Sequence, residues 1–438
     1  MRLLVVATKA PWPPVDGGRL LLLRTLEGLA AAGVRATLVA PLDPRRHALD
    51  SVAAALAPWC EPQLVLARPA GAASTLLRSA GHRQPLTISR HTLPAVRRRV
   101  EGLLAARRFD LIHAEQLQAL PQALPPARAG HRPVVLRAQN VESALWAAAP
   151  GRPLALEARR LAAWEGRAVA GVDATAALTA IDAAALRRLA AAAGSPQARV
   201  VEVPAPFAAE LPPGPRRLPG KPAVALLGSR GWRPNEDALA WFTGEIWPAV
   251  RRALPAAELH VFGVARGAGT EPAAGGGQRS AEPFRGVAGS GPAAGSPAPA
   301  EGRAVSGAAN RDAERGITWH AAPADSAAAF ACGSIHAVPL RVGSGVRMKV
   351  LEAWARGVPV VATPEGAAGL EAADGVELLV ARDAAEFAAA CRRLFEEPGL
   401  AAALAAGGRA ALRRRHDPAT VARRLLELYA EVLAAARH

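Results

Sequence analysis

Within the stretch GSGVRMKVLEAWARGVPVVATPEGAAGLE, residues 343–371, the chain places two cations, a carboxylate and two glycine turns. Gly343, Ser344 and Gly345 make the first turn. The residues after it have helix-forming order, so the turn opens a helix whose first two turns carry Arg347, Lys349 and Glu352. Gly357 closes that helix, Val358-Pro359-Val360-Val361 reads as a short buried strand, and a second turn follows at Glu365-Gly366. A helix start beside glycine presents free backbone N–H groups and a partial positive charge, which suits an anion. A carboxylate accepts only, and takes two hydroxyls at once. Phosphates on one side and sugar hydroxyls on the other is the chemistry this spacing can serve.

Helix geometry sorts the cations. Positions 347 and 349 diverge by about 200° on an ideal helix and cannot both face one ligand. Lys349 lies three residues before Glu352 and shares its face. Arg347 reaches the same ligand only from a non-helical first turn. Lysine occurs only at Lys9, Lys221 and Lys349, so its use here points to a compact charge at that spot.

These residues need a scaffold, and the rest of the sequence outlines one. Short β runs at 2–7, 35–40, 63–67, 109–114, 133–138, 173–179 and 199–203 alternate with helical stretches such as Gly18–Ala32 and Leu154–Val169. That alternation predicts an α/β fold with a parallel sheet covered on both faces. A proline-dense stretch, 206–222, separates this first domain (1–205) from a second (223–417), where the pattern restarts with VALLG, a helix over Glu236–Arg252 and ELHVFG. Residues 264–315 hold almost no bulky apolar side chains and read as a flexible insertion. Residues 418–438 read as a final amphipathic helix.

The chain's 438 residues suffice for two full cores. The net charge of +16 comes almost wholly from arginine. It reads as a base-composition signature, alongside the many Ala, Gly and Pro residues, and as a surface suited to an anionic membrane. Nucleic-acid binding is not expected, because aromatics are only 4% and no basic-aromatic cluster appears. Cys60, Cys332 and Cys391 have no paired spacing, so neither disulfides nor a zinc site is expected. The opening MRLLVVATKAP reads as a strand and not as a secretory signal, and no apolar stretch approaches ~20 residues. The expected location is cytoplasmic, with peripheral contact at the inner membrane face.

The order of motifs resembles that of family-4 retaining glycosyltransferases. It runs through LLVVATKAPWPPVDGGRLLLLRTLEGLAAAGV, FDLIHAEQL, VVLRAQNVESALW, VALLGSRGWRPNEDALAWFTGEIWPAV and IHAVPLRVGSGVRMKVLEA. The resemblance implies a GT-B fold, two facing Rossmann-like domains with a cleft between them, and a final helix that crosses back to the first domain. It implies a nucleotide-sugar donor, a glycan or lipid-linked acceptor and no cofactor. Glu352 would accept the ribose hydroxyls, and Gly366 would sit at the distal phosphate. Gly228, Arg230 and Arg233 stand where relatives carry a glycine and a basic pair, here shifted and without its lysine. Ser344 stands where relatives place a second glutamate on the sugar, so the charge there is lost. Gly345, Arg347 and Lys349 complete the donor side. Gly17 and Gly18 would approach the diphosphate or acceptor from across the cleft. Gln139 stands where many relatives place a histidine; with Lys349 and Glu352 it forms the expected catalytic set, and glutamine there cannot carry a proton. His113 reads as a packed strand-end residue. No Asp-x-Asp or HExxH spacing occurs, so no metal is expected. A sugar-nucleotide 2-epimerase on the same architecture is the alternative.

Overall fold

The computed structural model describes residues 1–148, 151–212, 214, 217–228, 233–263, 310–321 and 326–437. Strands β1 (Leu3–Ala7), β2 (Ala36–Leu42), β3 (Cys60–Leu66), β4 (Leu111–Glu115), β5 (Val134–Ala138), β6 (Ala174–Ala177) and β7 (Val200–Glu202) form one parallel sheet in the order β3-β2-β1-β4-β5-β6-β7. Each of the seven β runs expected from the sequence overlaps one of these strands. Every residue of β1, β2, β4, β5 and β6 is buried, as in a sheet covered on both faces.

A second sheet repeats the plan. It contains β8 (Ala223–Leu227), β9 (Glu258–Phe262), β10 (Asn310–Asp312), β11 (Ile317–His320), β12 (Ser334–Val338), β13 (Val360–Ala362) and β14 (Leu379–Val380), ordered β10-β11-β9-β8-β12-β13-β14. All its pairings are parallel except that of β10 with β11. Here the structure corrects the sequence reading. The flexible insertion was expected to run to 315, yet 310–312 form an edge strand, and the Arg315 carbonyl accepts from Trp247 Nε1 at 2.7 Å. Backbone pairing to β11 orders this polar stretch, which carries no hydrophobic signal of its own. Residues 264–309 lie outside the described residues.

In each sheet the strand order reverses beside its first strand: between β1 and β4 in one, between β8 and β12 in the other. Ligands of such sheets bind outside the carboxyl ends of the strands at this switch point. The loops that follow β1, β4, β8 and β12 are therefore the ones to inspect.

Five helices frame those loops: α1 (Gly17–Ala31), α2 (Ala180–Ala192), α3 (Arg233–Trp241), α4 (Met348–Ala355) and α5 (Pro418–Ala435). Asp16 caps α1 by accepting from Arg19 N at 3.0 Å. Thr179 caps α2 through Asp182 N at 3.0 Å and donates its hydroxyl back to that carboxylate at 2.8 Å. Asp417 caps α5, with Pro418 at the first helical position. Helix α5 buries Val421, Leu425, Leu428, Tyr429 and Val432 in the core of the first sheet, together with Leu3, Leu26 and Leu38. The chain thus leaves the second sheet and ends on the first. The proline-dense connection is laid down on the second half: Phe207 N donates to the His416 carbonyl and Leu211 N to that of Ala355. Pro213, Pro215 and Arg216 lie outside the described residues.

Candidate active site

The two halves meet at the starts of α1 and α4. A Cβ added to Gly17 would stand 3.3 Å from Met348 Cγ, and one added to Gly18 would stand 2.7 Å from Gln139 Oε1. Gly345 has φ +75 and lies against the Gln139 carbonyl, with its would-be Cβ 2.5 Å from Asn140 Oδ1. A side chain there would be strained twice over, by conformation and by contact. Glycine at 17, 18 and 345 is what lets the two helix starts approach.

The cations separate as the geometry predicts, and one changes role. Helix α4 begins at Met348, so Arg347 is a non-helical cap residue. Its guanidinium donates to the carbonyls of Ser344 (2.7 Å), Gly345 (2.9 Å) and Glu365 (3.1 Å). Arg347 is buried and ties the two glycine turns together; it is not presented to the cleft as a free phosphate ligand. Lys349 is also engaged, but at the edge of a small cavity. Its Nζ donates to the Leu227 carbonyl at 2.7 Å and to Asn235 Oδ1 at 3.1 Å. It lines a cavity with Leu227, Gly228 and Asn235 at the end of β8 and the start of α3. Burial pushes its ammonium down to about 7, and the nearby Arg347 charge adds to the shift.

Glu352 lies one turn further along α4 and is 5% exposed. Its Oε1 accepts from Ser326 Oγ at 2.6 Å and from Arg356 Nε at 3.0 Å. The carboxylate is thus held in place by Ser326 and Arg356. Gly366 donates its N–H to Thr363 Oγ1 at 2.9 Å, and its would-be Cβ lies against the Val338 carbonyl. That N–H is engaged within its own turn and is not held open for a phosphate. Arg233, the first residue of α3, is exposed. Arg230 lies outside the described residues.

Ser344 faces the other half of the molecule. Its Oγ accepts from Val141 N at 2.7 Å and donates to Asp182 Oδ1 at 2.8 Å, while Gly345 N donates to Asp182 Oδ2 at 3.1 Å. Three hydrogen bonds therefore pin the first glycine turn to the loop after β5 and to the start of α2. The sugar-side role expected of Ser344 competes with this pairing. Asp182 carried no signal in the sequence, since nothing local links it to a turn 162 residues away.

On the first-domain side, Gln139 donates to Glu115 Oε1 at 2.7 Å and accepts from Gln116 Nε2 at 2.7 Å. Lys9 Nζ pairs with Asp16 at 2.8 Å beside the α1 start. Glu142 lies beyond Asn140. Burial, then the neighbouring Glu165 carboxylate, pushes its carboxyl up to about 7. The Glu165 carboxyl is raised as well, chiefly by burial, although it accepts from Glu142 N (2.8 Å) and Ser143 Oγ (2.6 Å). Gln116, Glu142 and Asp182 were missed as site residues. The motif NVES offered one cue, a carboxylate two residues after the cleft asparagine. Among the described residues, no three His, Cys, Asp or Glu side chains are grouped so as to hold a metal ion, and no helix is long and apolar enough to cross a membrane.

Two doubly wound sheets with apposed switch points define the GT-B architecture of glycosyltransferases, and solved structures repeat it over the whole chain. Sucrose-phosphate synthase from Thermosynechococcus elongatus superposes with a TM-score of 0.69 at 16% identity, covering 99% of this chain and 100% of that one. Anabaena HepE, solved in complex with UDP and glucose, gives 0.61 at 14% identity over 98% and 100%. A glycosyltransferase from Rickettsia africae gives 0.57 at 11% identity over 98% of each chain. At such identities the likeness speaks for the fold. Residues 287–397 match the family described as Glycosyl transferases group 1. No curated protein matches the chain. The chain has the GT-B fold, and within it residues 287–397 carry the match to that glycosyltransferase family.

Proposed function

We propose that this protein is a retaining glycosyltransferase of the family-4 type, moving a hexose-type sugar from a nucleoside diphosphate to a hydroxyl of a glycan or lipid-linked acceptor. The observation that carries the proposal is Lys349. The Lys349 ammonium lines a small cavity at one switch point, on the helix whose start abuts Gly17 at the other. That cation and the two helix starts favour the charge that develops on a leaving diphosphate. Glu352, held by Ser326 and Arg356, accepts the ribose hydroxyls. Gln139 reaches the cleft from the first domain and hydrogen-bonds the sugar or the acceptor. In the transfer, the bond from the sugar's anomeric carbon to the diphosphate breaks and the acceptor oxygen bonds that carbon on the same face. The acceptor's proton passes to the leaving phosphate. Glutamine at 139 accords with this route, because it moves no proton itself.

The neighbours guide the choice of donor. HepE was solved with UDP, glucose and UDP-glucose, so UDP-glucose is the first donor to test. We place the work at the cytoplasmic membrane face, where basic charge favours anionic lipid and lipid-linked acceptors reside. The diphosphate is held by side chains and helix ends without a cofactor. The test is proton NMR of the product made from α-linked UDP-sugars with free and lipid-linked sugar acceptors. An α-linked product, formed equally well with chelator present, supports the proposal. A β-linked product, or no consumption of any donor, refutes it.

A further inference from the structure

Behind Gln139 a buried chain of hydrogen bonds runs away from the cleft to the C-terminal helix. Tyr429 Oη lies 2.5 Å from His113 Nδ1. His113 Nε2 lies 2.8 Å from Glu115 Oε2, and Glu115 Oε1 accepts from Gln139 Nε2 at 2.7 Å. Beyond Gln139, its Oε1 accepts from Gln116 Nε2, whose own Oε1 takes the Thr8 hydroxyl. His113 and Glu115 are two apart on β4 and so share a face; that face is the one α5 covers.

We infer that Glu115 is a positioning residue for the reaction: it fixes which way the Gln139 amide faces the cleft, braced from behind by His113 and by Tyr429 of α5. The inference rests on the reading of the cleft given above.

The chemistry of a carboxylate makes the arrangement directional. Glu115 accepts only, so both neighbours must donate to it. Gln139 must therefore turn its NH2 inward and its carbonyl oxygen toward Gln116 and Gly18, and the reverse orientation is disallowed. His113 must carry a hydrogen on Nε2, which in the neutral ring leaves Nδ1 to accept the Tyr429 hydroxyl. Arg137, fully buried, is paired in register with Glu115 on β5 and attracts it at a distance, while its Nη2 donates to the Pro204 carbonyl at 2.9 Å. Gly18 completes the site, since a Cβ there would strike the Gln139 oxygen. Hydrogen bonds from Gln139 through Glu115 and His113 to Tyr429 set the amide more firmly than packing alone.

The test is a double-mutant cycle on steady-state transfer with Glu115→Gln, Gln139→Ala and the pair. Glutamine at 115 keeps the shape but can present its own NH2, so the direction at 139 is then imposed only by the longer bond from its Nε2 to the Gly18 carbonyl (3.3 Å). Glu115→Gln is expected to lower kcat about tenfold or more, the usual scale for losing an orienting partner, with donor KM little changed. The double variant should fall no further than the worse single one, because Glu115 acts only through Gln139. Tyr429→Phe should give a smaller drop in kcat of the same kind, and carries the kinetic arm if Glu115→Gln fails to fold. Effects that multiply, or an unchanged kcat in both Glu115→Gln and Tyr429→Phe, overturn the inference. Tyr429 is the chain's only tyrosine, so protein grown with 3-fluorotyrosine shows one fluorine signal. If wild type transfers nothing from any donor, the functional reading fails and this signal decides the geometry alone. In ligand-free protein, Gln139→Ala should shift it through Glu115; an unmoved signal contradicts the linkage.

Discussion

In the proposed donor site the central cation is Lys349, and its environment gives it a pH signature. Burial holds its ammonium at about 7 in the free protein. A bound diphosphate favours the charged form, so binding raises that value and takes up a proton above it. The nucleotide's own terminal phosphate is already ionised there. Affinity for a nucleoside diphosphate should therefore fall as pH rises from about 7.5 to 9, by up to roughly tenfold per unit. Calorimetry in buffers of different ionisation enthalpy should record the proton uptake. Lys349→Arg should flatten the pH profile, since guanidinium stays charged; an equally steep profile would assign the titration to another group, with Glu142 the first alternative. Glu352→Gln should weaken donor binding by ~1–3 kcal/mol. It should also lower Tm slightly, because Arg356, only 10% exposed, exchanges a charged acceptor for a neutral one. An unchanged dissociation constant would remove Glu352 from the site. Lys349 and Glu352 were legible in the sequence because three residues apart on a helix means one face. Arg347 was legible as a cation but not as a clamp, since its carbonyl partners come from two separate turns.

At the scale of elements, the glycine turn before α4 is the joint between the halves. Gly345→Ala adds a methyl where φ is +75 and where the Gln139 carbonyl and Asn140 already stand. The backbone strain alone is ~1–2 kcal/mol. Thermal denaturation should show a lower Tm, and donor binding should weaken by more than the strain accounts for, because the turn must withdraw from Gln139. Wild-type affinity in Gly345→Ala would mean that this contact is not part of the donor-binding state. All seven strands of the first sheet could be read from sequence: five are buried throughout and mostly apolar, and β3 and β7 keep short apolar runs between helical stretches. Strand β10 could not: Asn-Arg-Asp earns its place by backbone pairing at an exposed edge. The hydrogen bonds of Gly366 were also hidden, since its N–H answers to Thr363 in a turn that read simply as open.

Across the whole molecule, Asp182 joins the halves. It is only 5% exposed, yet it receives Ser344 Oγ and Gly345 N from the second half while accepting from Thr179, the cap of α2, in the first. Asp182→Ala should loosen closure and let water into the cleft. We expect a larger radius of gyration by small-angle scattering and a higher ratio of donor hydrolysis to transfer. Asp182→Asn, which still accepts from Gly345 N, should recover part of both. An unchanged hydrolysis ratio in Asp182→Ala would show that closure does not depend on this contact. The two-sheet plan was legible because each half repeats the same rhythm of strands and helices. The seam was not, because it joins Val141, Asp182 and Ser344, residues that share no local pattern.

The central claim is that this cleft holds a nucleoside diphosphate through Lys349. Calorimetry of wild type and Lys349→Ala with UDP and UMP tests it most directly. Wild type should bind UDP at least about tenfold tighter than UMP, the scale of one charge-assisted contact. Lys349→Ala should lose most of that preference while keeping its fold. Equal binding of the two nucleotides by wild type, or a preference that survives in Lys349→Ala, would contradict the claim.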